Sequence, residues 1–263
     1  MSASLLPRPL VYAHRGGAAL RPENTLAAFD HGIALGADGL EFDVHLSRDG
    51  IVVVHHDAEL ERTTDGRGAV RGLSAAELAA IDAGHRFATD GGGFPFRGKG
   101  LGIPTLRQVL ERYPTVPVII ELKSPAPQLA QRVIDDLRAT GSVERAALGS
   151  FYHRVLRAAR AYEPSIRTGA AREETRWALY RSWVGWPLGR TAYREFQVPE
   201  RSGRTTIVSP RFIDHAHRAG LPVKVWTVDE RPDIERLLDW GVDAIISDRP
   251  DVAIEAVHTR FGS

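Results

Sequence analysis

Two carboxylates two positions apart, Glu41 and Asp43, stand in an apolar run, and a third, Glu121, lies in another such run two positions before Lys123. Side chains alternate along a strand, so Glu41 and Asp43 share one face, as do Glu121 and Lys123. Three carboxylates gathered at one place would repel one another and climb in pKa unless a cation held them ionised. A divalent metal ion is the economical answer, and all-oxygen ligation favours Mg2+ or Ca2+ over zinc. Arg15 and Lys123 add the positive charge that a phosphate needs, Arg15 being able to grip two oxygens at once. His14 and His56 complete a set for phosphoryl chemistry. Scission of a phosphodiester needs a base for the attacking hydroxyl or water and an acid for the departing alkoxide, and imidazole titrates in range for both. Each group alone has a plainer reading: paired carboxylates form surface salt bridges, and a lone histidine caps a strand or bonds a turn. Their joint occurrence is what points to a site.

The elements that must position these groups follow from hydrophobic rhythm. Short β-branched runs alternate with helical patterns, the signature of repeated βα units and a parallel sheet. Strands are predicted over 10–13, 39–44, 118–122, 146–149, 166–169, 223–227 and 244–247, with another near 195–198. These make eight, the number a closed (β/α)8 TIM barrel requires. Between the second and third of them, Ser47-Arg48-Asp49-Gly50 is a tight-turn sequence and the apolar run resumes at Ile51. A parallel return needs a crossover of about a dozen residues, so this return is antiparallel, a hairpin appended to the second barrel strand. The chain is therefore read as one domain over 1–263 with a small lobe, 46–104, inserted after the second strand. Ligands of parallel βα folds bind at the C-terminal strand ends, where His14, Arg15, Glu41, Asp43, Glu121, Lys123 and Trp226 all fall. The hairpin carries His56 back towards the same end. His55 faces the opposite way, and Trp226 suits core packing as well as substrate contact.

Composition narrows the classes. A chain of 263 residues with 43% hydrophobic content suits one substantial core. With 34 Lys and Arg against 33 Asp and Glu, the formal charge is +1, so no global field recruits nucleic acid or an acidic membrane, and an anionic ligand must be held locally. There is no cysteine, which removes disulfides, thiolate metal ligation and a thiol nucleophile together. Residues 1–9 read as neither signal peptide nor anchor, and no apolar stretch is long enough to span a bilayer. A soluble, cytoplasmic protein is expected. Composition is silent on self-association. The stretch 173–204 carries Trp177, Trp183 and Trp186 among arginines. It reads first as a packed helix with a solvated face, and second as a lid or interfacial contact for a lipid-like substrate.

The blocks His14-Arg15-Gly16, Pro22-Glu23-Asn24-Thr25-Leu26, Glu41-Phe42-Asp43-Val44, Asp49-Gly50 and Val54-His55-His56-Asp57 stand in that order, followed by Arg62-Thr63-Thr64. Glu121-Leu122-Lys123, Val225-Trp226-Thr227-Val228, Gly241-Val242-Asp243 and Ser247-Asp248-Arg249-Pro250 come later. In these blocks, which cover most of the chain, the sequence resembles the glycerophosphodiester phosphodiesterase family. The resemblance implies a barrel with a lobe after its second strand and hydrolysis of small glycerophosphodiesters to sn-glycerol 3-phosphate and an alcohol. It implies that His14 and His56 act as acid and base, that Glu41, Asp43 and Glu121 bind the metal, and that Arg15, Lys123 and Trp226 lie near phosphate or substrate. The stretch 173–204 departs from it, being longer and richer in tryptophan. Two other functions fit the same residues: a phospholipase acting on lyso or intact lipid headgroups, and a barrel that binds metal or phosphate without turnover.

Overall fold

Strands buried on both faces read as unbroken apolar runs, and the runs at 118–122 and 244–247 do form strands with those bounds. The computed structural model describes residues 5–89 and 91–262; residues 1–4, which open the N-terminal stretch read above, lie outside it. In chain order the strands are β1 (Leu10–His14), β2 (Gly39–Leu46), β3 (Val52–Val54), β4 (Val118–Leu122), β5 (Ala146–Gly149) and β6 (Arg167–Thr168). They continue with β7 (Phe196–Pro199), β8 (Arg201–Ser202), β9 (Thr205–Thr206), β10 (Val223–Trp226) and β11 (Ala244–Ser247). The helices are α1 (Leu26–Ala34), α2 (Ala75–Ala79), α3 (Leu106–Arg112), α4 (Pro127–Ala139) and α5 (His153–Tyr162). They are followed by α6 (Arg172–Val184), α7 (Pro210–His217), α8 (Arg231–Trp240) and α9 (Pro250–Phe261).

Eight strands run parallel in the order β6-β5-β4-β2-β1-β11-β10-β7. A parallel bridge between Gly169 and Glu195 joins the two ends of that row, so the sheet closes on itself as a (β/α)8 barrel. The predicted antiparallel return is present: β3 pairs with β2, Val44 facing Val54 and Leu46 facing Val52. Beyond it, Val53, Leu60, Val70, Leu78, Ala83 and Ile103 form an apolar cluster of their own, separate from the main core.

Helices start where the sequence supplies caps. Thr25 accepts from the Ala28 amide ahead of α1, and Ser74 with Glu77 and Thr105 with Gln108 make capping boxes before α2 and α3. Each such cap stabilises by about 1 kcal/mol. The main core lies between the strands and the helix ring. Inside the barrel the alternate residues Tyr12, Ile119, Ala147, Ala244 and Ile246 make a second layer. Gln197 fills the space beside Gly149, where a Cβ would stand 2.6 Å from its Oε1, so a bulkier residue at 149 displaces this side chain. No helix among the described residues is long and apolar enough to cross a membrane.

Candidate active site

Strand register brings the carboxylates together. His14 lies opposite Glu41 across β1 and β2, and Asp43 lies opposite Glu121 across β2 and β4. One carboxylate oxygen from each of Glu41, Asp43 and Glu121 lies within 4.8 Å of the others. The loop after β1 is built to face them. Arg15 takes a left-handed backbone, φ 52°, an uncommon conformation for a long side chain. It is held there by its amide on the Glu41 carbonyl at 2.8 Å and by the Asn24 amide on its own carbonyl at 2.9 Å. Gly16 follows at φ 87° with its Cα side pressed on α1, where a Cβ would meet Ala28 at 2.7 Å. This explains glycine after His14-Arg15: no other residue fits both the turn and the approach.

Asp43 is fully buried, with a cationic group close to each of its oxygens. Lys123 Nζ is 3.0 Å from Oδ1, while Arg15 Nε at 3.2 Å and Asn24 Nδ2 at 2.9 Å face Oδ2. Burial opposes its charge, but these cations outweigh burial and hold the carboxyl below its ordinary value. Glu41 has less compensation: burial, together with the charges of Asp43 and Glu121, pushes it up to about 8. Glu121 is raised for the same reasons, against the pull of Lys123 at 3.1 Å. Its Oε1 is buried without a hydrogen-bond partner among the described residues. A cluster short of positive charge, with an orphaned oxygen, is one whose donors could hold a divalent cation.

Each histidine is anchored by its own aspartate. His14 Nδ1 lies 2.6 Å from Asp248 Oδ1, and Nε2 lies 3.6 Å from Glu41 Oε2. A carboxylate only accepts, so Nδ1 carries the proton. Burial alone would lower this imidazole, but Glu41 and Asp248 overcome it and raise it to about 9. His56 Nδ1 lies 2.6 Å from Asp57 Oδ1, and the His56 carbonyl meets His45 Nε2 at 3.0 Å. Asp57 in turn accepts from Arg62, whose guanidinium grips Glu23 at 2.6 and 2.8 Å, and Glu23 also takes Arg15 Nη1 at 3.0 Å. His56 on the hairpin is thus tied through Asp57, Arg62 and Glu23 to Arg15 on the barrel. His55 is buried and turned away, with Nε2 on the Glu59 carbonyl at 3.3 Å.

A cavity of about 860 Å³ opens at this end of the barrel, lined by His14, Arg15, Glu41, His56, Glu121, Lys123 and Trp226. Asp43 lies behind its wall. Trp226 packs against the interior layer and stands edge-on to Phe151, with ring centroids 5.9 Å apart, at the cavity wall. The groups given no site role by sequence reasoning are Asp248, Asn24, Glu23, Asp57 and Arg62. Asp57 carried a local signal, its place directly after His56.

Asp57 also supplies a pH test. Burial would raise its carboxyl, but Arg62 and His56 outweigh that and hold it down to about 2. A carboxyl depressed on folding stabilises fully above its unfolded value, near 4, and the contribution is lost as pH falls through the folded value. The stability difference between wild type and Asp57→Asn is therefore expected to be constant from neutral pH to about 4 and to shrink towards pH 2. Urea unfolding at stepped pH measures it, and a difference that persists undiminished at pH 2 would contradict the assigned ion pair.

A closed parallel barrel with carboxylates, imidazoles and cations converging at its C-terminal mouth belongs to the class of α/β hydrolytic enzymes that act on phosphate esters. Comparison with known proteins shows the family within that class. The model of the glycerophosphoryl diester phosphodiesterase family matches residues 14–252. A glycerophosphodiester phosphodiesterase of Caldanaerobacter subterraneus subsp. tengcongensis is 34% identical over 256 residues, 95% of this chain and 98% of its own. The crystal structure of a glycerophosphodiester phosphodiesterase from Agrobacterium tumefaciens superposes with a TM-score of 0.77 at 28% identity, over 94% of this chain and 99% of that one. An Oleispira antarctica phosphodiesterase, solved with the product sn-glycerol-3-phosphate, gives a TM-score of 0.74 at 26% identity, over 95% and 97% of the two chains. The chain belongs to the glycerophosphoryl diester phosphodiesterase family.

Proposed function

We propose that the protein hydrolyses glycerophosphodiesters to sn-glycerol 3-phosphate and an alcohol, using His14 and His56 for proton transfer and a divalent cation held by Glu41, Asp43 and Glu121. The observation that carries this reading is the pair of imidazoles facing one cavity, each anchored at Nδ1 by its own aspartate. The product found with the Oleispira antarctica phosphodiesterase supports the substrate class. The whole chain, 1–263, acts as one barrel domain with 46–104 as its inserted lobe.

The carboxylate donors fit a hard ion: all are oxygens, they lie within 4.8 Å of one another, and Glu121 Oε1 is left without a partner. When bound, Mg2+ or Ca2+ supplies positive charge against the phosphate. Arg15 and Lys123 contribute the rest. Arg15 is oriented by Asp43 through Nε and by Glu23 through Nη1, with Nη2 left for a phosphate oxygen. One imidazole removes the proton of the attacking hydroxyl, either water or the 2-hydroxyl of the glycerol, the latter forming a cyclic phosphate that water then opens to sn-glycerol 3-phosphate. The other gives a proton to the departing alkoxide. Anchoring at Nδ1 leaves Nε2 as the exchanging nitrogen in both. Trp226 and Phe151 wall one side of the cavity.

Chelation tests the cation directly. Dialysis against EDTA is expected to reduce release of sn-glycerol 3-phosphate from glycerophosphocholine by at least about 100-fold, and Mg2+ or Ca2+ to restore it. Undiminished turnover in the chelated, metal-free protein would sink the metal assignment and leave the carboxylates as a structural cluster.

A further inference from the structure

Helix α6 packs on the barrel through a stripe of small or modest residues, Thr175, Ala178, Leu179 and Ser182, at helical spacing. Its aromatic side chains are instead exposed. Trp177 is 68% exposed, Val184 72% and Trp186 71%, and Tyr180 and Trp183 are about half exposed. Three of the five tryptophans of the chain thus lie on one outward surface within ten residues. The rings are ordered against one another, Trp177 and Tyr180 at 6.2 Å and Tyr180 and Trp183 at 5.3 Å between centroids, both edge to face. An exposed, contiguous and preorganised aromatic surface marks an interaction site.

The charge around it is one-sided. Glu174 is paired with Arg160, Glu195 with Lys224 and Glu200 with Arg236, so the carboxylates of this stretch are mostly spent on the protein itself. Arg172, Arg176, Arg190, Arg194, Arg201 and Arg204 are all exposed and make no ion pair among the described residues. Against them stands exposed Glu173. The near-zero charge of the whole chain conceals this local excess. The surface is also continuous with the candidate active site, because Arg176, Tyr180, Trp183, Ser202 and Thr205 form part of the wall of the same cavity.

We infer that the outward face of α6, the turn through Val184-Gly185-Trp186 and the β8–β9 hairpin dock on an anionic phospholipid surface, setting the mouth of the cavity against the bilayer. Tryptophan and tyrosine settle at the headgroup level, and arginine reaches lipid phosphate while its stem lies on apolar surface. Val184 discriminates the partner: an exposed aliphatic side chain lying in sequence between Trp183 and Trp186 suits acyl chains and offers nothing to a stacked nucleobase. This inference concerns binding and stands apart from the hydrolytic reading.

The test is co-sedimentation of the full chain with vesicles of phosphatidylcholine and phosphatidylglycerol, and with phosphatidylcholine alone. The wild type is expected to pellet with the anionic vesicles, to partition at least about tenfold less onto the neutral ones, and to show a blue shift of tryptophan emission on binding. Trp177→Ser with Trp186→Ser is expected to weaken partitioning at least about tenfold, with an unchanged thermal midpoint because both sites are exposed. Arg201→Gln with Arg204→Gln is expected to weaken it by roughly 25-fold, about fivefold per arginine. Wild-type protein left in the supernatant, or a double tryptophan variant that pellets like wild type, overturns the inference. So does a self-association in sedimentation velocity that disappears in the double tryptophan variant while vesicles bind neither protein, which would assign the face to a second copy of the chain. Binding is read without turnover, so neither reading can fail through the other.

Discussion

Alanine in place of His56 is expected to lower kcat on glycerophosphocholine by about 10²–10⁴-fold, the usual contribution of a positioned acid or base. KM should move little, because among the described residues no hydrogen bond or ion pair joins His56 to the carboxylate cluster, Arg15 or Lys123. The loss is chemical rather than structural: the side chain is partly exposed at the cavity and its polar contact is with Asp57 alone on the side-chain side. His14→Ala should cost a similar factor, and the double variant little more than either alone if both act in one concerted exchange. Asp57→Asn and Arg62→Gln act through His56 as positioning residues. Their expected loss is smaller, about tenfold in kcat, accompanied by a change in the pH profile that a merely structural role would not produce. Turnover within threefold of wild type in both single histidine variants, with metal supplied, would remove the histidines from the chemistry.

How far this site is legible in the sequence depends on how local its determinants are. Glu41 and Asp43 lie on one strand, and Glu121 and Lys123 lie on or just past another, so alternation alone predicts their facing. The strands over 118–122, 146–149 and 244–247 take the predicted bounds, because each is an apolar run closed by turn residues. His56 follows from the hairpin, since four residues cannot make a parallel return. Asp248 is different. It is 234 positions from His14, and only closure of the barrel sets the last strand against the first, with Ala13 opposite Ser247 and hence the two following residues side by side. The Asp57–Arg62–Glu23 link has the same character, joining the hairpin to the loop after β1 through side chains whose types suit any surface.

Elsewhere the pattern misleads or is silent. In α6 the aromatic residues are exposed while the buried stripe is Thr175, Ala178, Leu179 and Ser182, so a periodicity argument that seats the largest residues inward selects the wrong face. The β8–β9 hairpin is exposed on both strands and carries no alternation to detect. Helix α9, absent from the sequence reading, starts at Pro250, a good first helical residue, but buries mainly Ala253, Ile254, Ala256 and Val257, a cluster too compact to announce a helix of that length. These are elements whose determinants are tertiary contacts rather than local composition.

The same limit hides a buried ion pair whose disruption should harm the fold. Lys224 points into the barrel from β10, 2.9 Å from Glu195 and 4.9 Å above the ring of Tyr12, and both members of the pair are buried. Burial alone would lower this ammonium, but Glu195 and Tyr12 raise it above the ordinary lysine value. Its contribution to stability is therefore complete at neutral pH and is lost only as pH rises through that elevated value. Lys224→Met keeps most of the volume and strands Glu195 with one neutral partner, Gln197 at 2.7 Å. Breaking a buried pair from one side costs about 3–5 kcal/mol, which in a barrel of this size lowers the thermal midpoint by roughly 6–20 °C. Adding Glu195→Gln removes the uncompensated charge and should recover most of the loss, since replacing both partners of a buried pair is often neutral. Chemical unfolding of the two single variants and the double variant closes the cycle. A Lys224→Met variant within 1 kcal/mol of wild type would mean that water, rather than Lys224, compensates Glu195 inside the barrel.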